Sequence, residues 1–212
     1  MSGAEPEYTL RQTLKAGYGE RIGLLGGSFN PAHAGHLHVS RWALDLLDLD
    51  RVWWLVTPQN PLKPVAGMAS YGDRRAAAEK AASDPRIIVS GLERDIGTNY
   101  TVDTIKALRG MYPHARFVWL MGADSLLEVH LWKSWRDFFR LVPIAVFSRQ
   151  PYSSRALGAV AAKRFARARV AAMRCRSLSR MKPPAWMFLP IPPHPASATR
   201  IRARSKACRR GT

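Results

Sequence analysis

Six short apolar runs, at residues 22–25, 52–56, 87–89, 117–121, 144–147 and 186–189, are bounded by turn-forming or polar residues. A run of this length without polar alternation has both sides buried, as a strand inside a parallel sheet must be. The segments between them, at 36–47, 74–82, 102–111 and 155–172, carry the Ala, Leu and Arg content of amphipathic helices and are expected to be helical. Alternation of this kind implies an α/β fold with a doubly wound, mostly parallel sheet covered on both faces, because parallel neighbours are reached through crossovers. Ligands of such sheets sit beyond the C-terminal strand ends, so function is expected in the residues that follow each apolar run.

The 212 residues suit one domain, expected over 21–204, with a loose N-terminal arm at 1–20 and a basic tail at 205–212. The first twenty residues lack the apolar stretch of a secretory signal, and no apolar run approaches the ~20 residues that cross a bilayer. Cys175 and Cys208 cannot form a disulfide framework and lie in no cluster with metal-ligand spacing, so a cytosolic, cytoplasmic setting is expected. The net charge of +18 is placed unevenly, since no Asp or Glu follows Asp137. Such a field draws polyanions, whether a triphosphate, a nucleic acid or a membrane surface, and charge alone does not choose among them. The basic run 163–182 reads either as a solvated helix face or as a phosphate-contacting surface. The Pro-rich stretch 190–195 reads as a stiff connection into the final segment.

The most informative stretch follows the first apolar run, where Gly26, Gly27, Ser28 and Phe29 lead through Asn30 and Pro31 to His33, Gly35 and His36. Paired glycines allow a tight turn and close approach of backbone to ligand, and a helix starting near Gly35 aims free N–H groups at an anion. His33 and His36 stand three residues apart, so on a helical turn both imidazoles lie on one side and can donate to adjacent phosphate oxygens, with Gly35 leaving room for the phosphate. Neither a GxGxxG fingerprint nor a Walker-type loop is present. His38 faces elsewhere and reads as a packing or surface residue.

These residues resemble the nucleotidyltransferase superfamily that shares a His-x-Gly-His signature, and more closely the bacterial nicotinate-nucleotide adenylyltransferases. The resemblance runs through five ordered motifs. The opening Gly26 to His36 element has Ala32 where a second proline is frequent. Thr57-Pro58-Gln59-Asn60-Pro61-Leu62-Lys63 follows the second strand, and Tyr100-Thr101-Val102-Asp103-Thr104 is similar to the family's Tyr-Thr-x-x-Thr helix start. Gly122-Ala123-Asp124-Ser125-Leu126 with Trp132, and then Ser197-Ala198-Thr199-Arg200-Ile201-Arg202, complete the set.

The resemblance implies a Rossmann-like nucleotidyltransferase domain that joins ATP to nicotinate mononucleotide, giving nicotinate adenine dinucleotide and pyrophosphate. It implies catalytic roles for His33, His36 and Arg202. Gly26, Gly27, Ser28, Phe29, Gly35, Gly122, Asp124, Arg149, Ser197 and Thr199 would lie toward ATP and its phosphates. Asn60, Lys63, Tyr100, Thr101 and Trp132 would lie toward nicotinate mononucleotide, with Trp132 over the ring and the Thr101 amide on the carboxylate. On physical grounds alone, Ser197 and Thr199 could cap a helix and Asp124 could cap one at Leu126 or Leu127. Mg²⁺ is expected to arrive bound to the ATP phosphates, with no metal site of the protein's own. No membrane partner is expected. A basic nucleic-acid-binding protein is the rival from another class, although the sequence holds no recognisable nucleic-acid module. Self-association to a homo-oligomer stays open, as does preference for the acid over the amide. Relatives acting on nicotinamide mononucleotide or phosphopantetheine share the same histidine signature.

Overall fold

A computed structural model describes residues 14–59 and 66–196. Each apolar run is a strand: β1 (Arg21–Gly27), β2 (Arg51–Val56), β3 (Ile87–Ser90), β4 (Arg116–Gly122), β5 (Ile144–Phe147) and β6 (Trp186–Leu189). All pair in parallel in the order β3-β2-β1-β4-β5-β6. The chain winds outward from β1 through β2 to β3, then returns to the other side of β1 with β4. The C-terminal ends of β1 and β4 therefore flank the switch point where such sheets open a crevice.

Strand alternation divides the core in two. Ile22, Leu24, Trp53, Leu55, Trp119 and Ile144 point into one layer, and Leu25, Trp54, Val118, Leu120, Ala145 and Met187 into the other. Helices α3 (Leu92–Asp95), α4 (Thr101–Met111), α5 (Ala123–Glu128), α6 (Trp135–Leu141), α7 (Ser153–Ala156) and α8 (Val160–Arg164) supply the first layer. Helices α1 (Ala34–Leu46) and α2 (Tyr71–Ala81), with a 3₁₀ segment at Ala172–Arg180, supply the second. Among the described residues no helix is long and apolar enough to cross a membrane.

Two expectations are corrected. The single helix at 155–172 is instead α7, α8 and a short 3₁₀ turn at Ala166–Ala168, followed by extended chain. Gly158 ends the first piece, and Val170 N–H then donates to Trp186 O at 2.8 Å while Arg169 bridges alongside β6. One continuous helix would also have stacked Lys163, Arg164 and Arg167 on successive turns, where like charges repel. Residues 14–20, assigned to the loose arm, are docked. Leu14 is buried in the first layer, its carbonyl accepts from Tyr112 Oη at 2.8 Å, and Glu20 O accepts from Arg116 N–H.

Candidate active site

The loop from β1 into α1 owes its shape to one aromatic residue. Phe29 takes a left-handed backbone, φ +46°, which costs about 1 kcal/mol or more for a side-chain-bearing residue. Packing holds it there: the ring is buried, stacks on Trp54 at 5.1 Å and lies 4.7 Å from the His36 ring. Trp54 in turn donates to Ser40 Oγ of α1 at 2.8 Å. Phe29 is thus a shelf under His36, and any phosphate contact from this residue would come from its backbone. Neither of the paired glycines carries the left-handed turn. A Cβ on Gly26 would lie 2.5 Å from the Trp119 indole, so that glycine makes room for packing, whereas Gly27 meets only the Phe29 ring at ordinary contact distance.

His33 and His36 interlock at the start of α1. His33 Nδ1 accepts from Gly35 N–H at 3.0 Å, and His36 Nδ1 accepts from His33 N–H at 3.2 Å, the reciprocal pattern of a capping box built from imidazoles. The ring centroids are 3.9 Å apart. An Nδ1 that accepts leaves the proton of a neutral ring on Nε2, so both rings present Nε2–H donors at a helix N-terminus. A Cβ on Gly35 would lie 2.8 Å from the His33 ring and 2.9 Å from the Ala196 carbonyl, so glycine here admits the end of the Pro-rich connection. The close approach brings the end of the Pro-rich connection onto α1, where His38 Nε2 also meets Pro192 O at 2.8 Å. Ser197, Thr199 and Arg202 lie outside the described residues, as do Asn60 and Lys63.

At the neighbouring strand ends, Arg149 after β5 donates to Asp124 Oδ2 at 2.8 Å. Asp124 stands in the first turn of α5, whose N-cap is Gly122, and no side chain caps that helix, so the cap at Leu126 or Leu127 is absent. A Cβ on Gly122 would collide with Asp124 Oδ1, a buried oxygen with no hydrogen-bond partner among the described residues. Glycine here lets the carboxylate fold back over the end of β4.

On the β2 and β3 side, α4 starts at Thr101, with Tyr100 as its N-cap and no side chain capping it, so the first amides, that of Thr101 included, are not taken up by a cap. Trp132 is half-buried, edge-on to Trp119 at 6.4 Å and tilted on Phe138 at 5.7 Å. Trp135 packs on Phe139 and Phe165, as expected of a core aromatic.

Sequence reasoning missed two cations. Lys133, beside Trp132, sits 4.3 Å over the Tyr100 ring and bridges to Asp103 at 3.0 Å, placing a positive charge at the start of α4. Arg74 read as an ordinary helix residue, yet it is 2% exposed and has no carboxylate partner among the described residues. Its guanidinium donates to the carbonyls of Ser28, Thr57, Pro58 and Ala69 at 2.7 to 3.2 Å, binding the loops after β1 and β2 into one unit. Burial pushes its pKa down from the usual arginine value. Only the spacing of Arg74 from the α2 cap at Ser70 hinted at a backbone-facing position.

Comparisons with known proteins bear on the family and the fold. The cytidylyltransferase-like family model matches residues 24–204. The chain is 53% identical to the probable nicotinate-nucleotide adenylyltransferase of Parvibaculum lavamentivorans over 88% of this chain and 92% of that protein. It is 50% identical to the protein of the same name from Methylorubrum extorquens, over 87% of this chain and 100% of the other. Among solved structures, the Plasmodium falciparum nicotinic acid mononucleotide adenylyltransferase complexed with NaAD superposes with a TM-score of 0.65 at 16% identity, covering 87% of this chain and 83% of that one, which shows a shared fold.

Proposed function

The chain belongs to the cytidylyltransferase-like family and, within it, to the nicotinate-nucleotide adenylyltransferases, and from that membership we propose that it carries out their reaction in NAD biosynthesis. The adenylyl group of ATP passes to nicotinate mononucleotide, with pyrophosphate as the second product. The observation that carries this reading is the interlocked imidazole pair, two Nε2–H donors held at a helix N-terminus beside the switch point of the sheet.

The 5′-phosphate oxygen of nicotinate mononucleotide attacks the α-phosphorus of ATP in line, and the bond from that phosphorus to the departing pyrophosphate breaks. A phosphate monoester is already largely ionised near neutral pH, so the protein's work is alignment and stabilisation of charge. His33 and His36 donate to phosphate oxygens in this reading, with the amides that follow β1 beside them. Ser197, Thr199 and Arg202 are proposed to bind phosphate oxygens. Asp124 and Arg149 suit the adenosine side. Trp132 is proposed to stack on the nicotinate ring, while the Thr101 amide, with Lys133 nearby, favours a carboxylate over a neutral amide. Asn60 and Lys63 are assigned to the same substrate.

Mg²⁺ brought in with ATP would lower the repulsion between the phosphates. The described residues around the imidazole pair offer N–H donors, and the nearby carboxylate Asp124 is engaged by Arg149, so this donor set suits a cation that arrives ligated by phosphate and water. A cytoplasmic setting fits a reaction between two highly charged nucleotides. Pyrophosphate release from ATP, measured separately with nicotinate mononucleotide, nicotinamide mononucleotide and phosphopantetheine, tests the whole reading. Turnover should be fastest with the nicotinate substrate, and faster release with either alternative would sink the assignment.

A further inference from the structure

The adenylyl-transfer site makes no use of the cations between residues 160 and 182. α8 and the turn after it carry Lys163, Arg164 and Arg167 and pack through Ala161, Ala162 and Phe165 on one sheet face. The 3₁₀ segment carries Arg174, Arg176 and Arg180 and packs through Leu178 on the opposite face. Arg169 joins the two at the sheet edge, where it bridges to Trp186 with its guanidinium 5.6 Å over the indole. All seven are exposed, and none has a carboxylate partner among the described residues. Several earlier cations differ, for Arg21, Arg41, Arg51, Arg75 and Arg86 each pair with an acid. The band continues into a groove where Arg180 and Lys182 meet Arg116, at the N-terminal ends of β4 and β6 and so at the opposite end of the sheet from the nucleotide crevice.

We propose that this cationic collar around the β6 edge docks the sugar–phosphate backbone of a single-stranded nucleic acid. Uncompensated like charges in a short stretch raise the free energy of the fold unless a polyanion neutralises them. The shape selects the polyanion. Because the cations lie on both faces of the sheet and over its edge, a flat bilayer could touch only one group at a time. The exposed apolar side chains, Met173 on one face and Val160 on the other, could not enter a bilayer together. A duplex, stiff over about 150 base pairs, meets the same difficulty, whereas a single strand can bend across the edge.

The test is binding of a fluorescent oligouridylate to the intact protein at several salt concentrations. Each phosphate neutralised contributes about −0.7 to the slope of log K against log salt, so engagement of six cations gives a slope of about −4. The triple variant R174E/R176E/R180E should flatten that slope by about 2 and weaken binding at least tenfold, with adenylyl transfer unchanged. If that variant does not fold, K163E/R164E/R167E on the other face should do the same. Absence of binding at about 50 mM salt, a slope unaltered by the variants, tighter binding of duplex, or a preference for phosphatidylserine vesicles would each overturn the proposal.

Discussion

His36 is the residue on which most depends, because its ring does two jobs. Nδ1 accepts from the His33 backbone, which puts the proton of a neutral ring on Nε2. Replacing His36 with Ala should lower kcat about a hundred- to a thousandfold, the usual effect of losing one positioned donor to a developing charge. The cap should cost only about 1 kcal/mol, so thermal unfolding will still show a folded protein. Near-normal turnover would contradict the role. Glu93 presents a different case. It is buried, and Thr104 Oγ1 donates to Oε1 at 2.9 Å, while Oε2 lacks a well-formed partner among the described residues. Burial pushes its pKa up, and the Thr57 and Thr104 hydroxyls offset only part of the shift. An acid whose folded pKa is raised keeps its full contribution to stability below its unfolded pKa, and loses it as pH rises through the folded one. Glu93→Gln should therefore gain stability relative to the parent on going from pH ~5 to ~9, read from urea midpoints. A difference independent of pH would show that the carboxyl is not neutral in the fold.

At the scale of elements, the crevice is assembled by ties between segments far apart in the chain. Arg74 of α2 reaches the carbonyls after β1 and β2, and charged donors to carbonyls contribute about 1.5–3 kcal/mol each before desolvation is counted. Arg74→Leu should destabilise the protein by about 3 kcal/mol or more, since four carbonyls, that of Ser28 buried and the others partly so, lose their donor. It should also raise KM for both nucleotides, because the loops it joins carry the residues after β1 and β2. A variant as stable as the parent would mean that water can replace the guanidinium. The α1 start is tied differently, by Gly35 fitting against Ala196 and by His38 holding Pro192, so the end of the Pro-rich connection packs along α1 beside the imidazole pair.

The whole molecule combines a neutral core with a lopsided charge distribution. Every ion pair within it involves an acid at or before Asp137, leaving the β6 side self-repelling. Screening falls to a Debye length of about 8 Å at physiological salt, so raising ionic strength from about 10 to 150 mM should raise Tm, and sulfate should act more strongly than chloride. A Tm that falls with salt would mean that ion pairs, and not repulsion, dominate the surface.

The strands, the layering and the start of α1 could be read from the chain because they depend on local periodicity. Ile144–Phe147 and Trp186–Leu189 coincide with their apolar runs, and His33 and His36 meet at the start of α1, though with His33 as its extended N-cap and not on the helical turn. Tertiary contact decided the rest. That Gly26 serves Trp119, that Gly35 admits Ala196, and that Arg74 faces carbonyls follow from neighbours distant in sequence. The expected helix at 155–172 lost its last residues for the same reason, since the bond from Val170 to β6 competes there with the local helical one.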